Sequence, residues 1–127
     1  MPDTLRLMYV DDEADIRTIV EFALEDDFEI ALCASGSEAL ARVAEFRPDL
    51  ILLDVMMPGM DGPSTLQALR LLPGFEQTPV AFITAKVQPQ EVTALKAAGA
   101  VGVIAKPFDP MTLSEQVRSL WAQHGHG

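Results

Sequence analysis

The sequence has little of what nucleic-acid binding, disulfide formation or membrane insertion requires. It has 9 lysines and arginines against 19 aspartates and glutamates, and the net charge of −10 opposes contact with nucleic-acid phosphates. The single cysteine, Cys33, cannot form an internal disulfide, which suits a reducing compartment. Apolar runs fall far short of the roughly 20 residues that span a bilayer, and the N-terminus lacks a basic-then-apolar signal pattern. We therefore expect a cytoplasmic protein that contacts neither nucleic acid nor membrane.

What the chain does have is a regular alternation of short apolar runs with longer segments of helical periodicity. Its 127 residues fit one domain. The runs are typical of strands buried on both faces of a parallel sheet. The predicted strands are Leu5–Val10, Phe28–Cys33, Leu50–Val55, Val80–Thr84 and Val101–Ala105. The predicted helices are Asp15–Glu25, Ser37–Phe46, Pro63–Leu72, Gln88–Ala98 and Pro110–Ala122.

Helix-start residues support this assignment. Ser35, with Glu38 three residues later, has the spacing of a capping box. Pro63 suits a first helical position, and Asp109 suits an N-cap. The order is therefore (βα)₅, which predicts an α/β fold with a parallel sheet between helices. In such sheets, ligands bind at the carboxyl ends of the strands.

Five chemically active side chains follow or end four of these strands. They are Asp11, Asp12, Asp54, Thr84 and Lys106. Each alone has an ordinary explanation, because an aspartate after a strand is often an N-cap, a threonine suits a strand, and a lysine is usually surface charge. Only their predicted meeting at one sheet edge indicates a site.

Three carboxylates gathered at one edge would repel by roughly 3–4 kcal/mol per pair at 4–5 Å and an effective dielectric near 20. Lys106 neutralises one charge, and a hard divalent cation would neutralise the rest. Oxygen ligands without histidine or cysteine favour Mg²⁺. Asp54, which ends an apolar strand just before a Met57-Pro58-Gly59 turn, is then a candidate nucleophile towards phosphorus.

Four short motifs resemble those of response-regulator receiver domains over essentially the whole chain. They are the acid pair in VDDEAD, the LLDVMMPGMDG block, Thr84-Ala85 in ITAK, and Lys106-Pro107 in AKPF. The resemblance implies a doubly wound, flavodoxin-like receiver fold with strand order 2-1-3-4-5. It also implies a receiver domain over residues 1–123, and we expect a disordered tail at 124–127.

The resemblance also implies a role for each matching residue. Asp54 would be the phospho-acceptor, and Asp11 and Asp12 would bind Mg²⁺ or Mn²⁺ with Asp54 and the Met56 backbone carbonyl. Thr84, Ala85 and Lys106 would bind the phosphoryl group. A cis bond between Lys106 and Pro107 is a further implication.

The implied function is a phosphorylation-dependent switch in two-component or phosphorelay signalling. A histidine kinase or histidine phosphotransfer protein would supply the phosphoryl group, and output would be a contact with another protein. The chain would not be an enzyme beyond Mg²⁺-assisted self-phosphorylation and autodephosphorylation. Because the sequence ends after the fifth helix, we expect no attached output domain.

One position departs from the family pattern. Most members carry tyrosine or phenylalanine three residues before the strand-five lysine, whereas this chain has Val103. A β-branched side chain has few rotamers, so the usual threonine-to-aromatic relay is in doubt.

Two other functional classes remain possible from the residues. A haloacid-dehalogenase-type phosphatase also uses an aspartyl nucleophile, Mg²⁺, threonine and lysine, but it places the nucleophile in a DxDxT motif where this chain reads DDEAD. A flavodoxin-like electron carrier would need a phosphate loop of serine, threonine and glycine where this chain has carboxylates.

Overall fold

Strands and helices alternate along residues 4–124, the part of the chain that the computed structural model describes. The strands are β1 (Leu5–Val10), β2 (Phe28–Cys33), β3 (Leu50–Asp54), β4 (Val80–Thr84) and β5 (Gly102–Ala105). The helices are α1 (Ala14–Leu24), α2 (Gly36–Phe46), α3 (Gly62–Arg70), α4 (Pro89–Ala97) and α5 (Leu113–Gln123). No helix within these residues is long and apolar enough to cross a membrane.

The strands form one parallel sheet in the order β2-β1-β3-β4-β5, which confirms the predicted topology. Between β1 and β3 the order reverses direction, so the carboxyl ends of these two strands form the crevice in which ligands of such sheets bind. In the register of this pair, Val10 lies opposite Leu53, one residue before Asp11 and Asp54 respectively.

Both faces of the sheet are covered by helices, because successive side chains of a strand point to opposite faces. Met8 and Val10 of β1 pack with the apolar residues of α2 and α3. Leu7 and Tyr9 face the other way and pack with those of α1 and α5. All four side chains are at most 1% exposed, and burying an apolar side chain of this size contributes about 1.5–3 kcal/mol.

The helix starts agree with the sequence prediction at α2 and differ at α3 and α5. Ser35 caps α2 by accepting a hydrogen bond from the Glu38 amide at 3.0 Å. Helix α3 begins at Gly62, capped by Asp61, which places Pro63 one residue further in than predicted.

The prediction that Asp109 caps the last helix is wrong. Its carboxylate accepts from the Met111 amide at 2.9 Å, which closes a separate turn, and α5 begins only at Leu113 after Thr112. Aspartate is favoured in such local turns for the same reason that it is favoured at caps. The end of α5 is capped by His124, and residues 125–127 of the expected tail lie outside the described residues.

Candidate phosphoryl-transfer and metal site

Three carboxylates meet at the carboxyl edge of the sheet. Asp11 and Asp12 follow β1, and Asp54 is the last residue of β3. One oxygen from each lies within 4.8 Å of the others, a spacing that a single cation can bridge. Asp11 is fully buried and Asp54 is 4% exposed, whereas Asp12 is exposed. The sequence prediction that these residues converge is confirmed.

The Lys106 ammonium lies between the two buried carboxylates. Its Nζ is 3.2 Å from Oδ2 of Asp11 and 3.3 Å from Oδ2 of Asp54. Glu13, which the sequence analysis did not single out, lies 3.7 Å from the same nitrogen. The backbone amide of Lys106 donates to the Thr84 carbonyl at 2.9 Å, which ties the start of the lysine loop to the end of β4.

Asp11 is held by hydrogen bonds to both of its oxygens. The Glu13 amide donates to Oδ1 at 2.9 Å, and the Tyr9 hydroxyl donates to Oδ2 at 2.7 Å. Sequence reasoning missed Tyr9. A signal was present, because Tyr9 and Asp11 are two residues apart and therefore point to the same face of an extended chain.

Burial and neighbouring charges shift the pKa values of three groups in this cluster. Burial and then the neighbouring Asp11 raise the pKa of Asp54 from 3.8 to about 6, although Lys106 opposes the shift. Burial works against the charge on Lys106, but Asp11 and Asp54 outweigh it and its pKa is raised. Burial and the bond to Asp11 raise the pKa of the Tyr9 phenol, so this hydroxyl stays protonated and acts as a donor. At neutral pH the cluster therefore holds negative charge in excess of its one lysine.

Thr84 ends the adjacent strand β4, and Ala85 directly follows it. Asp54 pairs with Ile83 in the β3–β4 register, so Thr84 is one residue further towards the edge. The Thr84 side chain is 4% exposed and its hydroxyl oxygen accepts from the Lys86 amide at 3.1 Å. Ala85 is exposed. The role of both residues towards a phosphoryl group stays a prediction.

The loop after β3 leaves the site open. Gly59 has a left-handed backbone with φ 79°, which lets the chain turn directly after Pro58. Met56 is 65% exposed beside Asp54, and ligation by its carbonyl stays a prediction. The bond between Lys106 and Pro107 is cis, as the family resemblance implies.

A concave surface lies elsewhere on the molecule. A groove of about 630 Å³ is lined by residues that precede β3 and β4, together with Trp121 and His124 at the end of α5. It is therefore at the amino edge of the sheet, away from the carboxylates. Of the three carboxylates, Asp12 is exposed, whereas Asp11 and Asp54 are at most 4% exposed.

Comparison with known proteins agrees with this site. The family model for the response regulator receiver domain matches residues 7–118. "DNA-binding response regulator MtrA" of Mycobacterium leprae is 37% identical over 115 residues, which are 90% of this chain and 50% of that protein. "Response regulator Rre1" of Synechocystis is 37% identical over 125 residues, which are 97% of this chain and 54% of that protein. The chain thus spans about half the length of the curated relatives it matches.

A solved structure covers nearly the same extent as this chain. The chemotaxis response regulator CheY4 of Vibrio cholerae superposes with a TM-score of 0.87 at 34% identity, over 93% of this chain and 99% of that one. The chain belongs to the family of response regulator receiver domains, which are phosphorylation-dependent switches of two-component signalling.

Proposed function

We propose that the chain accepts a phosphoryl group on Asp54 from a phosphohistidine of a histidine kinase or a histidine phosphotransfer protein. The observation that carries the proposal is the position of Asp54. Its carboxylate ends a fully buried strand, lies 3.3 Å from the Lys106 ammonium and shares an edge with Asp11 and Asp12. Burial holds the carboxylate in one place, and the open loop after β3 leaves it accessible to a partner.

The donor set suits Mg²⁺ or Mn²⁺. Asp11, Asp12 and Asp54 offer only oxygen, and hard cations of this kind use one or a few carboxylates with water and phosphate oxygens. These three carboxylates would hold the ion, with the Met56 carbonyl as a further ligand. When bound, the ion neutralises the charge that carboxylates and phosphoryl oxygens bring together.

The transfer itself needs an ionised Asp54. A carboxylate oxygen attacks phosphorus, the bond from phosphorus to the donor's imidazole nitrogen breaks, and that nitrogen leaves with the electron pair. Its pKa of about 6 keeps Asp54 mostly ionised at neutral pH. Lys106, the Thr84 hydroxyl and the Ala85 amide would bind the phosphoryl oxygens of the resulting acyl phosphate.

We further propose that the chain turns over no substrate apart from its own acyl phosphate. Self-phosphorylation from small donors and autodephosphorylation would be its only reactions. The receiver domain would occupy residues 1–123 and act in the cytoplasm by contact with another protein. The relatives named MtrA are described as DNA-binding, but the net charge of −10 opposes direct nucleic-acid contact by this domain.

Family membership disfavours both alternative classes. A haloacid-dehalogenase-type phosphatase would attack from the first strand, whereas we assign both carboxylates after β1 to the metal and the acceptor role to Asp54 on β3. A flavodoxin-like carrier would need a phosphate loop at an edge that holds three carboxylates. Within the described residues we therefore assign neither a nucleophile on β1 nor a phosphate loop at this edge.

Labelling with acetyl phosphate tests the proposal. With Mg²⁺, intact-mass measurement should find one added phosphoryl group, and peptide mapping should place it on Asp54. Asp54→Asn should abolish the label, while Asp61→Asn should retain it, because asparagine caps a helix as well as aspartate does. A label on a serine, or an undiminished label in Asp54→Asn, would contradict the proposal.

A further inference from the structure

The only tyrosine of the chain lies inside the sheet and bonds to a carboxylate of the site. Tyr9 is fully buried among the apolar residues that β1 shares with α1 and α5. Its hydroxyl donates to Oδ2 of Asp11 at 2.7 Å. A phenylalanine would fill the same apolar space without a polar atom, so the hydroxyl is the part of this side chain that packing does not require.

The contacts of Asp11 are divided between its two oxygens. The Glu13 amide holds Oδ1 at 2.9 Å, while Tyr9 and Lys106 hold Oδ2. The Lys106 contact is shared with Asp54, so it cannot by itself fix the plane of the Asp11 carboxylate. The Tyr9 hydroxyl comes from a strand buried on both sides and points only at Asp11. It therefore fixes Oδ2 in the way that the Glu13 amide fixes Oδ1.

Groups that hydrogen-bond a metal-ligating carboxylate from behind fix its orientation and tune its affinity for the ion. Asp11 needs such support more than Asp12 does. It is fully buried and cannot be oriented by solvent, whereas Asp12 is exposed.

We propose that Tyr9 is a positioning residue that orients the Asp11 carboxylate for divalent-cation binding at the phosphoryl site. This inference rests on the proposed function. Tyr9 touches neither the ion nor the phosphoryl group, and it acts through Asp11. Its contribution lies in metal affinity and in the rate of Mg²⁺-dependent phosphorylation.

The test compares Tyr9→Phe with wild type in calorimetric titration with Mg²⁺ and in thermal unfolding with and without Mg²⁺. We expect Mg²⁺ affinity to fall about tenfold and the Mg²⁺-induced rise in Tm to shrink accordingly. Thr65→Val is the matched control, since it also removes one buried hydroxyl, which donates to the Asp61 carbonyl away from the carboxylates. It should lower both Tm values equally and leave Mg²⁺ affinity unchanged.

A second measurement needs no variant. Because Tyr9 is the only tyrosine, Mg²⁺ binding to wild type should shift the tyrosine near-ultraviolet absorption band as Asp11 turns to the ion. Equal Mg²⁺ affinity in Tyr9→Phe and wild type, or an unshifted tyrosine band at saturating Mg²⁺, would overturn the inference while leaving Asp54 phosphorylation intact. Wild-type protein that takes no phosphoryl group with Mg²⁺ would overturn the proposed function itself.

Discussion

The Thr84 hydroxyl oxygen accepts a hydrogen bond from the backbone amide of Lys86 at 3.1 Å. The side chain that is placed to bind a phosphoryl group is thereby tied to the loop that leads into α4. Any movement of this hydroxyl towards Asp54 would pull on the backbone at residue 86. The same loop is exposed from Ala85 to Gln90, so packing does little to resist such a movement.

We expect activation to reshape residues 85–92, with little change at Val103. Val103 is half-buried and branched at Cβ, so it cannot rotate into the space that a moving threonine leaves. Amide hydrogen exchange with and without beryllofluoride, a phosphoryl mimic, would measure the response. Protection should change from Ala85 to the first turn of α4.

The Val103→Ala variant serves as the control for that experiment. It should retain phosphorylation of Asp54 and the exchange response, and cost about 1–3 kcal/mol of stability through lost packing. Exchange changes confined to α1 and α2, with residues 85–92 unchanged, would contradict the prediction.

The strands and the meeting of the site residues at one sheet edge were predictable, because each follows from a sequence pattern that has one physical explanation. Continuous apolar runs predicted β1, β2 and β4 at their observed bounds. Charged residues after such runs must reach the edge of the sheet, which predicted the meeting of Asp11, Asp54 and Lys106.

Two kinds of feature could not be predicted from the sequence. One is the choice between two local hydrogen bonds that suit a side chain equally well, and the other is a contact that depends on the tertiary structure. Asp109 was expected to cap a helix but closes a turn onto Met111, and aspartate suits both. The bond from Tyr9 to Asp11 depends on a rotamer that the sequence does not specify.

Replacing Lys106 with methionine should destabilise the metal-free protein. The variant keeps an unbranched side chain that is one atom shorter than lysine but leaves Asp11 and Asp54 without their shared cation. We expect the free energy of unfolding to fall by on the order of 3 kcal/mol, as when one partner of a buried ion pair is removed. Saturating Mg²⁺ should restore part of the lost free energy of unfolding. Urea unfolding of the variant and of wild type, with and without Mg²⁺, measures this recovery.

Lys96→Met in α4 is the matched control, because Lys96 is exposed and lies in the last turn of its helix. It should change stability by less than about 1 kcal/mol and show no Mg²⁺-dependent recovery. Equal losses in the two variants would show that the central lysine has no special electrostatic role.

Stability without metal should depend on pH through Asp54. Its pKa is about 6 in the folded chain against 3.8 when unperturbed, so the folded state binds this proton more tightly. This group therefore stabilises the fold as pH falls from about 6 towards 4, and that contribution is lost as pH rises through 6. Asp54→Asn, which carries no charge, should be more stable than wild type at pH 7.5 by on the order of 2–3 kcal/mol.

Denaturant unfolding of both proteins from pH 5 to pH 8 in a chelating buffer measures this difference. The gap should narrow to about half by pH 5, as Asp54 takes up its proton in the folded state, and would close only near pH 4. A gap that stays constant with pH, or an asparagine variant that is less stable at pH 7.5, would contradict the assigned cause.

Gly62 should tolerate no side chain. A Cβ there would lie 2.6 Å from the Asp54 carbonyl oxygen and 2.9 Å from Cα of Val55. Both are backbone atoms of the acceptor strand and its exit, so relief requires moving Asp54. Gly62→Ala should lower the free energy of unfolding by about 1–3 kcal/mol and slow acetyl phosphate labelling.

Gly74→Ala separates this steric effect from backbone strain. Gly74 has φ +92° but open space where a Cβ would stand. The variant should cost about 1 kcal/mol and label at the wild-type rate. Slower labelling in both variants would indicate general loss of fold instead of displacement of Asp54.

Helix α4 has no buried residue along Pro89–Ala97. Shifting or unwinding it would therefore expose little apolar surface beyond half-buried side chains such as Leu95, which packs against the core. To raise the population of a second arrangement from 1% to 99%, a ligand must bind that arrangement about 5.5 kcal/mol more tightly than the first. Two hydrogen bonds to a charged phosphoryl group, at about 1.5–3 kcal/mol each, are of that size. If Thr84 and Lys106 bind the phosphoryl group as proposed, one phosphorylation would supply enough free energy to change the population of α4 almost completely, whereas the same free energy would leave the fully buried β3 in place.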